Sequence, residues 1–132
     1  MSGSIGRVLV VDDDEAVRSC VEAFLLDEGF AVESAASGEQ ALSSLTPGRV
    51  DVAVVDVRLP GMNGDELIRR AHRRDPALRF VVYTGSPEYS PPPSLAAAGV
   101  TPEHVLRKPL FDMRVLARAI DGLVAWRERE PW

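Results

Sequence analysis

Short β-branched runs alternate along this chain with stretches whose apolar positions recur every three or four residues. Arg7 to Val11 reads as a first strand, ending in Asp12-Asp13-Asp14-Glu15. Val17, Cys20, Val21, Phe24 and Leu25 then share the apolar face of a helix. Asp14 can cap its start, and Gly29 suits a left-handed residue at its end. Phe30 to Ser34 is a weaker strand. Ser37 and Gln40 have capping-box spacing ahead of a short helix with Ala41, Leu42 and Leu45, which Thr46-Pro47-Gly48 ends.

Asp51 to Val57 is the most apolar strand, as expected for a central one buried on both faces. It delivers Asp56 to a Pro60-Gly61 turn. Asn63 and Glu66 repeat the capping-box spacing before a helix with Leu67, Ile68 and Ala71 inward. Arg69, Arg70, Arg73 and Arg74 lie mostly opposite and read as a solvated face. Asp75-Pro76 ends that helix, and Phe80 to Thr84 is the fourth strand. The segment Ser86-Pro87-Glu88-Tyr89-Ser90-Pro91-Pro92-Pro93 cannot be an ordinary helix, because each proline lacks a donor and restricts its predecessor. Only Ser94 to Ala98 reads as helical, so the fourth helix is expected to be short or displaced. Glu103 to Arg107 reads as a fifth strand, followed by Lys108-Pro109. Leu116, Ala119, Ile120, Leu123 and Val124 define a last helix, capped by Asp112.

This rhythm predicts an α/β fold with a parallel sheet, helices on both faces and right-handed crossovers. Five units suit the flavodoxin-like doubly wound order 2-1-3-4-5 with five helices, in which ligands bind beyond the carboxyl ends of the strands. Residues 7–126 are expected to form the domain, between an N-terminal tail (1–6) and a polar C-terminal tail (127–132).

Composition narrows the function classes. A net charge of -5 argues against direct nucleic-acid binding. A single cysteine, Cys20, excludes an internal disulfide and a cysteine metal cluster. Its place on the apolar helix face predicts a buried, inert thiol. No apolar run approaches the roughly 20 residues that span a bilayer. Met1 to Ser4 carries no signal-peptide pattern. A cytoplasmic protein without membrane contact is expected. His72 and His104 have no second ligand at metal spacing and read as structural or surface residues.

The candidate chemistry stands at the strand ends. The predicted topology gathers Asp12 and Asp13, Asp56, Thr84 and Lys108 at one rim. Each has a plainer reading: an acidic helix start for Asp12 and Asp13, a turn residue for Asp56, a strand end for Thr84, a surface turn for Lys108. Agreement at four strand ends in the right order favours a shared site. Three close carboxylates repel one another, and a divalent cation relieves the repulsion. An all-oxygen donor set suits Mg²⁺ or Mn²⁺. A carboxylate beside such a cation can attack a phosphoryl group to form an aspartyl phosphate, with Lys108 as a second cation and Thr84 as a hydroxyl donor.

The motifs Val-Val-Asp-Asp at 10–13, Asp-Val-Arg-Leu-Pro-Gly-Met-Asn-Gly at 56–64, Tyr-Thr-Gly at 83–85 and Lys-Pro at 108–109 resemble those of the receiver domains of bacterial two-component response regulators, of the chemotaxis-regulator type. The resemblance runs from about Arg7 to Val124. It implies a phosphoacceptor at Asp56 and Mg²⁺ bound directly by Asp13, largely through water by Asp12, and by the Arg58 carbonyl. It implies that Thr84 and Lys108 hold phosphoryl oxygens with the amides of Arg58 and Gly85, and that Arg58 and Ser86 tune the lifetime of the phosphoryl group. The donor would be a phosphohistidine on a sensor histidine kinase or phosphotransfer protein. The domain would catalyse only its own phosphorylation and dephosphorylation, and would signal through a further protein.

Two departures stand out. The family usually has an aromatic residue three positions before the Lys-Pro pair, and this chain has Val105, which puts the usual Thr-to-aromatic relay in doubt. Pro91-Pro92-Pro93 falls where the fourth helix should begin, so signalling is not expected through the usual dimer face of fourth helix, fifth strand and fifth helix. The chain reads as a stand-alone receiver or as the receiver of a larger regulator or hybrid kinase. An aspartyl-phosphate phosphatase or phosphomutase is the weaker alternative. Such enzymes carry a second acid two residues after the nucleophile, where this chain has Arg58. A metal-independent pseudo-receiver would lack one of the residues present here.

Overall fold

Val52 to Val55, all buried, form the middle strand of a five-stranded parallel sheet in a computed structural model that describes residues 6–129. The strands are β1 (Arg7–Val11), β2 (Ala31–Ala35), β3 (Val52–Val55), β4 (Arg79–Thr84) and β5 (Val105–Arg107), in the order β2-β1-β3-β4-β5. Among the described residues four α-helices accompany them: α1 (Glu15–Asp27), α2 (Gly38–Ser44), α3 (Gly64–Arg74) and α4 (Arg114–Arg129). This is the expected doubly wound architecture. Residues 1–5 and 130–132 of the expected tails lie outside the described residues, and residues 127–129, also expected in the tail, continue α4.

Successive side chains of a strand point to opposite faces. Along β1, Val8 and Val10 pack with Val21 and Leu25 of α1 and Leu116 and Ile120 of α4. Leu9 and Val11 pack with Ala41 and Leu42 of α2 and Leu67 and Ile68 of α3. Each such side chain, fully buried, contributes about 1.5–3 kcal/mol relative to exposure. The two buried layers hold the sheet between its helices.

The predicted helix starts are present. The Asp14 carboxylate accepts from the amides of Ala16 and Val17, Ser37 Oγ from Gln40, and Asn63 Oδ1 from Glu66. Gln40 reaches back to the amide of Ala36, one residue before the cap. Asp112 accepts from the Arg114 amide and forks with its guanidinium, which holds the Asp112 carboxyl down at about 2.

The fourth connection departs from the usual pattern, as the prolines require. Pro93–Ala98 is a short 3-10 helix that buries Leu95 and Ala98, and Gly99 ends it with φ 84°. Two expectations are corrected. Glu103 and His104 are not strand: they lie in a 3-10 turn, Pro102–His104, where the Thr101 amide donates to His104 Nδ1 at 3.1 Å. Cys20 is exposed, not buried. At about 100° per residue, the apolar positions of α1 span an arc of about 140°, with Leu25 and Cys20 at its two edges. The sheet and α4 cover the Leu25 edge, leaving Cys20 on the rim of a depression with Val17, Tyr83, Leu110 and Met113.

Candidate functional site

Strand register assembles the site. Val11 is paired with Val55, so the next residues, Asp12 and Asp56, emerge side by side. The Asp56 amide donates to the Val11 carbonyl at 3.0 Å, and the Lys108 amide to the Thr84 carbonyl at 2.8 Å. Asp12, Asp56 and Lys108 thus each leave the sheet while still held by a last ladder bond.

Lys108 Nζ donates to Asp12 Oδ2 at 2.6 Å and to Asp56 Oδ2 at 3.2 Å. It also stands 5.5 Å from the centre of the Tyr83 ring, a favourable place for an ammonium. Asp12 and Asp56 are buried and Asp13 is exposed. One carboxylate oxygen from each of the three lies within 4.8 Å of the others. These are hard oxygen donors only, with a rim open at Asp13, and they fit Mg²⁺ or Mn²⁺.

The electrostatics follow from burial and from one ammonium serving two acids. Burial pushes the Asp56 carboxyl up, against the Arg58 amide and Lys108, with the neighbouring Asp12 charge adding to the rise. Burial pulls Lys108 down, but its bond to Asp12 and the charges of Asp56 and Asp12 more than offset this, leaving it above its ordinary value. Lys108 is therefore fully protonated at neutral pH.

The loop after β3 is built to hold Asp56. The Arg58 amide donates to Asp56 Oδ1 at 3.2 Å. Gly61 takes φ 72°, open to glycine at little cost. Gly64 packs so closely that an added Cβ would stand 2.7 Å from Val57 Cα and press on the Asp56 carbonyl. Thr84 is fully buried, and its Oγ1 accepts from the Ser86 amide at 3.1 Å. The Arg58 guanidinium reaches Ser86 Oγ at 3.4 Å, joining the two predicted tuning positions. Gly85 is exposed beside them. Val105 pairs with Val82 and packs, half-buried, against the core layer of α2 and α3.

Sequence reasoning missed two supports. Arg18 Nη1 donates to the Asp12 carbonyl at 2.8 Å, tying α1 to the acidic loop. Glu39 Oε2 accepts from the Met62 amide at 3.0 Å, holding the loop after β3 from α2. Neither had a local signal, because each acts on backbone contributed by another element. The arginine face of α3 is largely exposed, as expected, and three of its four arginines make contacts there: Arg70 pairs with Glu66, Arg74 donates to the Leu42 carbonyl and Arg69 to Ser94.

Comparison with known proteins identifies relatives of the chain and of its fold. Residues 8–121 match the model of the response regulator receiver domain. The response regulator MprA of Mycolicibacterium vanbaalenii is 35% identical over 112 residues, covering 85% of this chain and 48% of that protein. A receiver domain protein (CheY-like) from Methanospirillum hungatei superposes with a TM-score of 0.85 at 30% identity, covering 97% of this chain and all of that one. The response regulator TrrA of Thermotoga maritima, solved in complex with Mg(2+)-BeF, gives a TM-score of 0.78 at 25% identity over 90% of this chain and 99% of that one. The chain spans less than two thirds of the length of the curated relatives it matches first.

Proposed function

The chain belongs to the response regulator receiver domain family, and from that premise we propose that Asp56 is its phosphoacceptor. Receiver domains are phosphoacceptor switches of two-component systems that work with histidine kinases and phosphotransfer proteins. The observation that carries the assignment is the convergence of Asp12, Asp13 and Asp56 on one point, with Lys108 bonded to two of them.

In the proposed reaction an Asp56 carboxylate oxygen attacks the phosphorus of a donor phosphohistidine. The P–O bond forms as the P–N bond breaks, and the imidazole leaves with the electron pair and takes up a proton. Asp12, Asp13 and Asp56, with the Arg58 carbonyl, would hold Mg²⁺, which when bound supplies positive charge against the phosphoryl oxygens. Lys108 contributes the second cation, shifting from the carboxylates to the new dianion. Thr84 Oγ1 and the amides of Arg58 and Gly85 donate to phosphoryl oxygens. The Arg58 and Ser86 side chains tune the lifetime of the acyl phosphate. The domain catalyses only its own phosphorylation and dephosphorylation.

The test is mass spectrometry after incubation with acetyl phosphate and Mg²⁺. The wild type gains one phosphoryl group, and neither Asp56→Asn nor the chelator-treated protein does. Uptake that survives Asp56→Asn, or steady turnover of phosphate esters, overturns the reading. The enzyme alternative lacks its second acid, because the residue two positions after Asp56 is Arg58.

The partners that follow are a sensor histidine kinase or phosphotransfer protein and a downstream protein. Output does not run through the usual fourth-helix dimer face, because a 3-10 turn stands in that helix's place. A symmetric dimer through this face with a bound phosphoryl mimic would sink that statement. No helix among the described residues is long and apolar enough to cross a membrane, which suits a cytoplasmic phosphorelay component.

A further inference from the structure

We propose that Tyr89 and Arg107 are positioning residues: they hold the Thr84–Ser86 turn in its resting place and so oppose phosphorylation of Asp56. The inference rests on the phosphoacceptor reading of Asp56.

The segment after β4 is tied down at both ends. Arg107, the last residue of β5, donates from Nη1 to the Ser86 carbonyl at 3.0 Å and from Nη2 to the Tyr89 carbonyl at 2.8 Å. One planar guanidinium thus bridges the two ends of a four-residue segment, a geometry lysine cannot reproduce. The Tyr89 hydroxyl donates to Asp65 Oδ1 at 2.6 Å. Asp65 lies in the first turn of α3, next to Gly64, which packs on the backbone of Asp56 and Val57. The Tyr89 ring packs, half-buried, against the same core layer as Val105. An aromatic side chain is therefore present on this side of the sheet, supplied by the loop instead of the strand. Burial and the Asp65 carboxylate push the Tyr89 hydroxyl well above the ordinary tyrosine range, so it stays a donor at neutral pH.

The Ser86 amide is bonded to Thr84 Oγ1, so the two residues move as a unit. Any shift of Thr84 and Gly85 toward a phosphoryl group carries the Ser86 carbonyl with it. That shift works against the Arg107 fork and, through the short segment to residue 89, against the Tyr89–Asp65 bond. Such coupling is reciprocal: whatever loosens these contacts favours the phosphorylated arrangement.

The experiment measures beryllofluoride affinity in the presence of Mg²⁺ for the whole chain. Tyr89→Phe, which keeps the ring, raises the affinity about five-fold, the scale of one lost hydrogen bond. Asp65→Ala and Arg107→Ala act in the same direction, whereas Asp65→Asn, which keeps an acceptor, stays within about two-fold of wild type. A merely destabilised fold would bind more weakly. Unchanged or weaker binding by Tyr89→Phe, or an Asp65→Asn effect equal to that of Asp65→Ala, overturns the proposal. A wild type that binds no beryllofluoride overturns the phosphoacceptor reading itself.

Discussion

The ammonium of Lys108 lies closer to Asp12 than to Asp56, at 2.6 Å against 3.2 Å. In this arrangement Lys108 chiefly neutralises Asp12 and touches Asp56 second. Under the proposed phosphorylation of Asp56 a new anion would come within the same reach, and the balance of that one cation between two sites would shift.

Lys108→Ala removes a cation that competes with a metal for Asp12 and Asp56. Mg²⁺ affinity measured by calorimetry should be unchanged or rise by up to about ten-fold, since close charge pairs near a surface are worth about 1 kcal/mol or more. The hydrogen-exchange response of residues 84–92 to beryllofluoride should disappear. A wild-type response in this variant would count against the role given to Lys108.

Asp13→Asn relieves repulsion among three carboxylates with one ammonium between them. With each pair of oxygens within 4.8 Å, the metal-free protein should gain about 1 kcal/mol. Its Tm should rise by about 3 °C, and the extra stabilisation that wild type gains from Mg²⁺ should shrink. A lower Tm in chelator would contradict the arrangement.

Burial raises the Asp56 carboxyl above its ordinary value, so the folded chain binds a proton there more tightly than the unfolded chain. That contribution to stability is present below the unfolded value, about 4, and is lost as pH rises through the folded value. In metal-free denaturation, wild-type stability relative to Asp56→Asn should fall as pH rises across this window. A difference that grew with pH would show the opposite shift.

Gly64→Ala would set a Cβ 2.7 Å from Val57 Cα. Backbone cannot yield as a side chain can, so the cost should be about 2–4 kcal/mol in urea unfolding. Phosphoryl uptake should fall with it, because the displaced backbone carries Asp56.

Cys20 should react with a maleimide in the native protein as fast as an exposed thiol does. Protection until denaturation would restore the buried position expected from the helix pattern.

The strand-end positions of Asp12 and Asp13, Asp56, Thr84 and Lys108 were all legible, because each sits at the end of a strand whose own residues mark it. Asp14, Ser37 and Asn63 were legible as caps for the same reason: their bonds are local. Cys20 was misplaced because periodicity yields a wide apolar arc, and only the neighbouring elements decide which part of that arc is covered. Glu103 and His104 were misread as strand because the Thr101–His104 bond outcompetes extension at Pro102.

The sequence by itself determined the alternation of strands and helices, the loss of an ordinary fourth helix and which acidic, hydroxyl and amine groups stand at the strand ends. These depend on spacing, on proline chemistry and on residue type, which act within a few positions. Only the tertiary structure decided that Lys108, 96 residues from Asp12, favours that partner. It alone also showed that Arg107 and Tyr89 tie the turn after Thr84 to β5 and α3. Those contacts depend on strand register and on where loops lie across the sheet, and no local pattern in the chain encodes a distance between residues so far apart.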